Sequence, residues 1–173
     1  ILKELTIITV NKNSGDLFEI TEKNIKTLLT SMNNLCWLII DSNSNDISYQ
    51  RIKYIKKEYP NLPIMVIREK DNGIYNAMNK GILNANSKFL LFLNSGDTIN
   101  NQVFRKLCLN KINKHSLIIC GYNIKTKHSL IFSIFTFILH KFECILNLTL
   151  PSSHNSIIYS SKILKENLFN EKY

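Results

Sequence analysis

Asp41, Asp71 and Asp97 lie just beyond apolar runs of this 173-residue chain, and Asn11 occupies the same place after the first run. Their side chains carry oxygens that could do chemistry. Carboxylate oxygens are preferred ligands of hard divalent cations, and a positioned carboxylate can take a proton from a reacting hydroxyl. An acid after a strand also commonly closes a turn, because Asp and Asn bond the backbone two residues on. Placement separates the two uses. In an open parallel sheet the strands end along one edge, and ligands bind there.

The elements that would position these residues are legible in front of them. Leu5–Val10 is apolar and β-branched and reads as a central strand buried on both faces. Cys36–Ile40, Pro63–Arg68 and Lys88–Leu93 read as further strands, the last stopping at Asn94-Ser95-Gly96-Asp97. Leu17, Ile20, Asn24, Leu28 and Met32, widened by Leu29, mark a helix between the first two strands. Ile52, Ile55 and Tyr59 mark a second helix, stopped by Pro60. Ile74, Ala77, Met78, Gly81, Ile82 and Ala85 recur at helical spacing after the turn residues Asp71-Asn72-Gly73. Strand and helix in alternation imply right-handed βαβ units, a parallel sheet and an α/β fold. The polar clusters at Asn11, Asp41 and Asp71 should then gather along one sheet edge. As a loop residue after a strand, Asp41 is expected to be exposed and to contribute little packing. Beyond Asp97, Val103, Phe104, Leu107 and Ile112 suggest a helix, Ser116–Tyr122 a strand and Ser161–Phe169 a helix.

Composition sets the outer limits. The length suits one domain, and 45% hydrophobic with 20% charged residues is ordinary for a globular protein. A net charge of +9 favours an acidic partner such as a diphosphate or an anionic lipid surface. The lysines are scattered and form no aromatic-basic platform, so no nucleic-acid partner is expected. A glycine-rich dinucleotide fingerprint is absent after the first strand, and no phosphate-loop motif occurs, which disfavours dehydrogenases and P-loop NTPases. Cys36, Cys108, Cys120 and Cys144 are widely spaced within apolar runs and read as buried free thiols of a reducing cytoplasm.

The motifs in order, LTIITVNKN, LIIDSNSND, DNGIYNAMNKGI and FLLFLNSGD, resemble family 2 glycosyltransferases. They are most similar to the bacterial subgroup that builds cell-surface polysaccharides. The resemblance implies a GT-A-type, Rossmann-like α/β/α sandwich with a mostly parallel central sheet, as one domain over residues 1–173. Residues 1–100 would be its nucleotide-sugar half, and 101–173 part of the acceptor-side half, truncated at the C-terminus. It implies an inverting, metal-dependent hexosyltransferase-type enzyme. The sugar would pass from a nucleoside diphosphate donor, a UDP-sugar, to a glycan or lipid-linked acceptor. Asp41 would bond the nucleobase, with Thr9 and Asn11 lining its pocket; Asp71 would face base and ribose, with Asn72 and Gly73 shaping the loop. Asn79, Lys80, Asn94 and Ser95 complete the substrate-binding set. Asp97 and His154 are the implied ligands of Mn2+ or Mg2+. The chain departs from the subgroup at Asn76, where an Asp is usual, and from the acidic motif at Asn94, which adds no charge. His115, His128 and His140 show no ligand spacing.

Two features concern the last third. Leu130–Leu150 is strongly apolar but is interrupted by His140, Lys141 and Glu143. It reads as packed helix, with an interfacial helix at the inner face of the plasma membrane as the alternative. Pro151–Tyr159 resembles the family's P-x-x-H-Q segment, with Asn155 for Gln. The acids after Asp97 are Glu143, Glu166 and Glu171, and none matches the family's base motif. The catalytic base is therefore unassigned and expected beyond Tyr173, which leaves open a module that binds nucleotide-sugar without turnover.

Overall fold

The β-branched runs become strands and the periodic segments become helices. The computed structural model describes residues 3–102, 104, 105, 117–119 and 157–172. Along the chain come β1 (Leu5–Asn11), α1 (Leu17–Leu29), β2 (Leu35–Asp41), α2 (Ile47–Glu58), β3 (Ile64–Arg68), α3 (Ile74–Asn84) and β4 (Phe89–Phe92). β5 (Leu117–Ile119), β6 (Ile157–Ser160) and a short α4 (Ser161–Glu166) follow. The helix suggested from Val103 to Ile112 is described only at its start, where Asn101, Gln102, Phe104 and Arg105 are helical. The Leu130–Leu150 segment and Cys108, Cys120 and Cys144 lie outside the described residues. Among the described residues no helix is long and apolar enough to cross a membrane.

Among the described residues six strands form one sheet in the order β3-β2-β1-β4-β6-β5. β1 to β4 are mutually parallel, whereas β6 runs antiparallel to both β4 and β5. The first crossovers step outward from β1 to β2 to β3, and the crossover through α3 returns to the other side of β1. Strand order therefore reverses between β1 and β4, the kind of place where the exit loops diverge and leave a crevice.

Each face of the sheet carries its own core. On one side Ile7, Trp37, Ile39, Ile64 and Leu91 pack against Phe18, Ile25, Leu28, Ile52 and Ile55 of α1 and α2. Trp37 stacks on Phe18 with ring centroids 5.8 Å apart. On the other side Ile8, Leu38, Ile40, Leu90 and Phe92 meet Ala77, Met78 and Ile82 of α3. A Cβ added to Gly81 would stand 2.6 Å from Ile8 Cγ2, so glycine is what lets α3 settle this close to β1.

Helix α1 buries Leu28 and Leu29, and Met32 follows them into the core, as the spacing suggests, but its first turns bury a different stripe. Leu17 and Ile20 are about half exposed, while Phe18, Thr21, Glu22 and Ile25 face inward. A buried acid on that stripe hides the pattern. Glu22 is held by Arg51 of α2 through bonds of 2.8 and 3.1 Å, which fasten the two helices together.

Candidate functional site

The last residues of β1, β2 and β3 are Asn11, Asp41 and Arg68, and the parallel register sets them side by side at one sheet edge. Their side chains form a continuous row. The Asn11 amide donates to Asp41 Oδ1 at 2.8 Å, and Arg68 Nε donates to Asp41 Oδ2 at 3.2 Å. The Ser44 backbone N–H donates to the same Oδ2. Arg68 also donates to the Ser44 carbonyl and lies over the Tyr49 ring, its guanidinium carbon 4.1 Å from the centroid.

Asp41 is fully buried, which corrects the expectation of an exposed loop acid with little structural weight. The reason is register. As the final residue of an inner strand it sits between Asn11 and Arg68, which between them supply donors to both of its oxygens. A carboxylate taken out of water needs such partners.

Asn11 joins more elements than any other residue at this edge. Its amide nitrogen also lies 3.0 Å from the hydroxyls of Ser44 and Ser48, and its oxygen accepts from Ser14 and, at 3.0 Å, from Ser95. The Ser95 bond joins the exits of β1 and β4, where the strand order reverses. The loops after β1 and β2 are further laced by bonds from Asn13 N–H to Ser44 Oγ, Asn45 N–H to Asn13 Oδ1 and Gly15 N–H to Asp46 Oδ2. Burial is the largest influence on the Asp46 carboxyl and pushes its pKa up. Bonds from Ser48 and from the backbone N–H groups of Gly15, Tyr49 and Asp46 together outweigh it, so the pKa lies below the ordinary value.

Helix α1 holds the loop that carries Asp97. The Thr21 hydroxyl lies 2.9 Å from the Asp97 carbonyl and 3.2 Å from that of Asn94, and it accepts the Gly96 N–H at 2.8 Å. Asn24 pairs with both backbone groups of Ile99, through bonds of 3.0 and 2.8 Å. Gly96 has φ +96°, a left-handed geometry that glycine takes without strain. Asp97 and Ser95, in the loop after β4, are half-buried.

The remaining sequence-predicted residues divide. Asp71 is buried with its oxygen accepting the Gly73 N–H at 3.2 Å, while Asn72 and Gly73 are exposed at the same edge. Thr9 is drawn into the core, where its hydroxyl accepts from the Trp37 indole at 2.9 Å instead of lining an open pocket. Asn79 faces the C-terminal segment and pairs with the N–H and carbonyl of Phe169, each at 2.9 Å. Lys80 bonds the Lys70 carbonyl and pairs with Glu69 at 3.1 Å, so it ties down the loop before Asp71. His154 lies outside the described residues. Among the described residues no group of three or more His, Cys, Asp or Glu could hold a metal ion. Arg68, Ser44, Ser48 and Tyr49 escaped the sequence reading. The available signal was that Arg68 ends a strand next to one ending in Asp.

A groove of about 340 Å³ lined by Lys3, Thr6, Cys36, Leu38, Met65, Ala85 and Asn86 opens elsewhere. Its strand residues belong to the starts of β1, β2 and β3, opposite the edge described above. Burial pushes the Cys36 thiol up, so it is a poor nucleophile there.

Comparison with known proteins matches this architecture. A mannosyltransferase from Pyrobaculum calidifontis, solved with GDP-Man and Mn2+, superposes with a TM-score of 0.75 at 15% identity, over 99% of this chain and 49% of that one. S. aureus TarS 1-349, solved with UDP-GlcNAc, gives 0.65 at 19% identity over 96% and 48%. A second structure of TarS 1-349 gives 0.61 at 22%, over 98% and 51%. The chain thus spans about half the length of these solved structures, and at such identities the likeness is one of fold. No curated protein matches the sequence. The description "Glycosyl transferase family 2" matches residues 6–159, most of the chain. The chain belongs to glycosyl transferase family 2.

Proposed function

We propose that the edge built by Asn11, Asp41, Asp71, Ser95 and Asp97 binds a nucleoside diphosphate sugar, a UDP-sugar, for transfer to a glycan or lipid-linked acceptor. The observation that carries the reading is the Asn11–Ser95 bond. It ties the exits of β1 and β4 at the reversal of strand order, and the Asn11–Asp41–Arg68 row joins them to the exits of β2 and β3, in a chain of this family. Two of the solved structures similar in fold hold GDP-Man with Mn2+ and UDP-GlcNAc, which supports a nucleotide-sugar donor here.

The chemistry divides among the loops. The exit loops of β1, β2 and β3 would hold the base and ribose, with Asn72 and Gly73 offering exposed backbone and the Arg68–Tyr49 pair a flat wall. The Asn94–Asp97 loop, stiffened by Thr21 and Asn24, would receive the diphosphate. A divalent cation fits this donor set: such ions are commonly held by one or two carboxylates with the remaining ligands from substrate phosphates. Asp97 would be the protein ligand, with His154 as second candidate. When bound, Mn2+ or Mg2+ supplies positive charge against the leaving diphosphate. Inversion by direct displacement, a role in bacterial cell-surface polysaccharide synthesis, and a cytoplasmic site at the inner face of the plasma membrane belong to the same proposal.

A second reading, donor binding without turnover, is favoured by one observation. Of the described acids after Asp97, Glu171 has both carboxylate oxygens engaged by Asn76 and Asn79, and Glu166 stands exposed on α4. Titration calorimetry with UDP and Mn2+, set beside a sugar-transfer assay, tests both readings. Metal-dependent UDP binding supports the donor site, and transfer by this chain would discard the second reading. Absence of UDP binding with and without Mn2+ would discard both.

A further inference from the structure

The C-terminal segment from 167 to 172 does not lie idle against α3. Phe169 packs its ring between Tyr75 of α3 and Phe92 of β4, with centroids 5.6 and 5.7 Å away. Its backbone is gripped by the Asn79 amide, which is itself 4% exposed. Two residues on, Glu171 spreads its carboxylate over one turn of the helix. Oε1 accepts from Asn79 and Oε2 from Asn76, each at 2.8 Å. The other end of the Asn76 amide reaches the opposite way, and its Oδ1 accepts the backbone N–H of Asn72 at 3.3 Å. Asn72 sits inside the Asp71–Gly73 turn, where Gly73 has φ +130° and opens α3.

We propose that Glu171 is a positioning residue: through Asn76 it sets the Asp71–Gly73 turn, and so couples docking of the 167–172 segment to the shape of the donor loop. An amide is the group that can relay in this direction, because it donates toward a carboxylate while accepting from a backbone N–H. The residue at 76 must therefore be neutral here. An Asp in its place would confront Glu171 with a second carboxylate at 2.8 Å, with no proton between them. The departure from the subgroup's Asp at this position thereby gains a physical reason: Asn76 and Glu171 are a matched pair. The inference rests on the proposal that the Asp71–Gly73 turn touches the donor.

The pair can be inverted. In N76D the carboxylates repel, and in E171Q the Gln amide nitrogen must face the amide nitrogen of either Asn76 or Asn79, so that one of the two bonds is lost. In the double variant N76D/E171Q the new glutamine amide can donate to the new aspartate while its oxygen accepts from Asn79, which restores the relay with reversed polarity. UDP affinity of the 173-residue chain, with Mn2+ present, is measured for all four proteins, together with amide exchange at Asn72 and Phe169. Each single variant should weaken UDP binding on the order of tenfold, within the usual range of coupling between sites. Each should also speed exchange at Asn72, and the double variant should recover both. The recovery separates positioning from general damage, since a variant that merely unfolds is not rescued by a second substitution of like chemistry. Single variants that release Phe169 yet keep UDP affinity within about twofold would overturn the proposal. So would single variants that leave exchange at Phe169 and Asn72 unchanged, or a double variant no better than either. If the wild-type chain binds no UDP, the donor reading fails on its own, and the Asn72 exchange cycle alone decides whether the relay exists.

Discussion

Replacing Asp41 by Ala should cost stability first and ligand affinity second. The side chain is fully buried and accepts from Asn11, Ser44 and Arg68. A bond to a charged group such as Asn11–Asp41 is worth about 1.5–3 kcal/mol, and the Ser44 N–H adds about 1. Arg68 is 39% exposed, so its ion pair is screened and adds at most about 1 kcal/mol. The total is about 2.5–5 kcal/mol, overlapping the size usually found when a buried charge pair is broken. Against a domain stability of about 5–15 kcal/mol this is a large fraction. With a urea m-value of about 2 kcal/mol/M, the unfolding midpoint should fall by about 1.2–2.5 M. Asp41→Asn keeps the volume but turns one end of the new amide toward existing donors, so it should fall in the same direction by less. Equilibrium urea unfolding followed by tryptophan fluorescence is the direct assay, since Trp37 lies in the same strand. An Asp41→Ala midpoint within about 0.3 M of wild type would show that the Asn11–Asp41–Arg68 row is not a structural unit.

Other outcomes follow from the same structure. Gly81→Ala gains up to about 1 kcal/mol of helix propensity, but the new Cβ meets the branched side chain of Ile8 at 2.6 Å. Overpacking of about 1–3 kcal/mol should prevail and lower the thermal midpoint. UDP affinity should fall with EDTA and recover with Mn2+ in the wild type, and Asp97→Asn should abolish the recovery in calorimetry; equal recovery in both would place the metal elsewhere. Amide bonds from Asn79 and then Asn76 hold the Glu171 carboxyl below its ordinary pKa, with Lys80 assisting. The folded-state pKa is depressed, so this anchoring is complete above the unfolded value near 4.5 and is lost as pH falls through the folded value. Exchange at the Phe169 amide, corrected for intrinsic pH dependence, should be level from pH 7 to 5 and rise below that range; a rise between pH 7 and 6 would contradict the assignment.

Much of the fold is legible because its signals are local. Leu5–Val10, Cys36–Ile40 and Lys88–Leu93 are apolar runs with abrupt polar ends, and the helical spacing from Ile52 and from Ala77 belongs to helices that do bury those residues. β6 is harder to see, because Ile157-Ile158-Tyr159 is too short a run to separate from loop. The face of the first turns of α1 is not legible because Glu22, an acid, occupies the buried stripe and its partner Arg51 is on another helix. Site positions follow from topology, so the edge that gathers Asn11, Asp41 and Asp71 can be inferred from strand order. Roles within it cannot. Thr9 and Asn79 look like pocket residues, yet the groups that claim them, the Trp37 indole and the Phe169 backbone, lie 28 and 90 residues away in sequence. Asp41 looks exposed for the same reason: Arg68 and Asn11 become its neighbours only once the register is formed.

The exit loops of β1 to β4 are proposed to receive a nucleoside diphosphate. A crystal structure of this chain soaked with UDP and Mn2+ tests this most directly. Uracil and ribose should lie against the exit loops of β1, β2 and β3, with the diphosphate and metal at the Asn94–Asp97 loop. UDP bound at the opposite edge instead, in the groove lined by Lys3, Cys36 and Met65, would contradict the proposal.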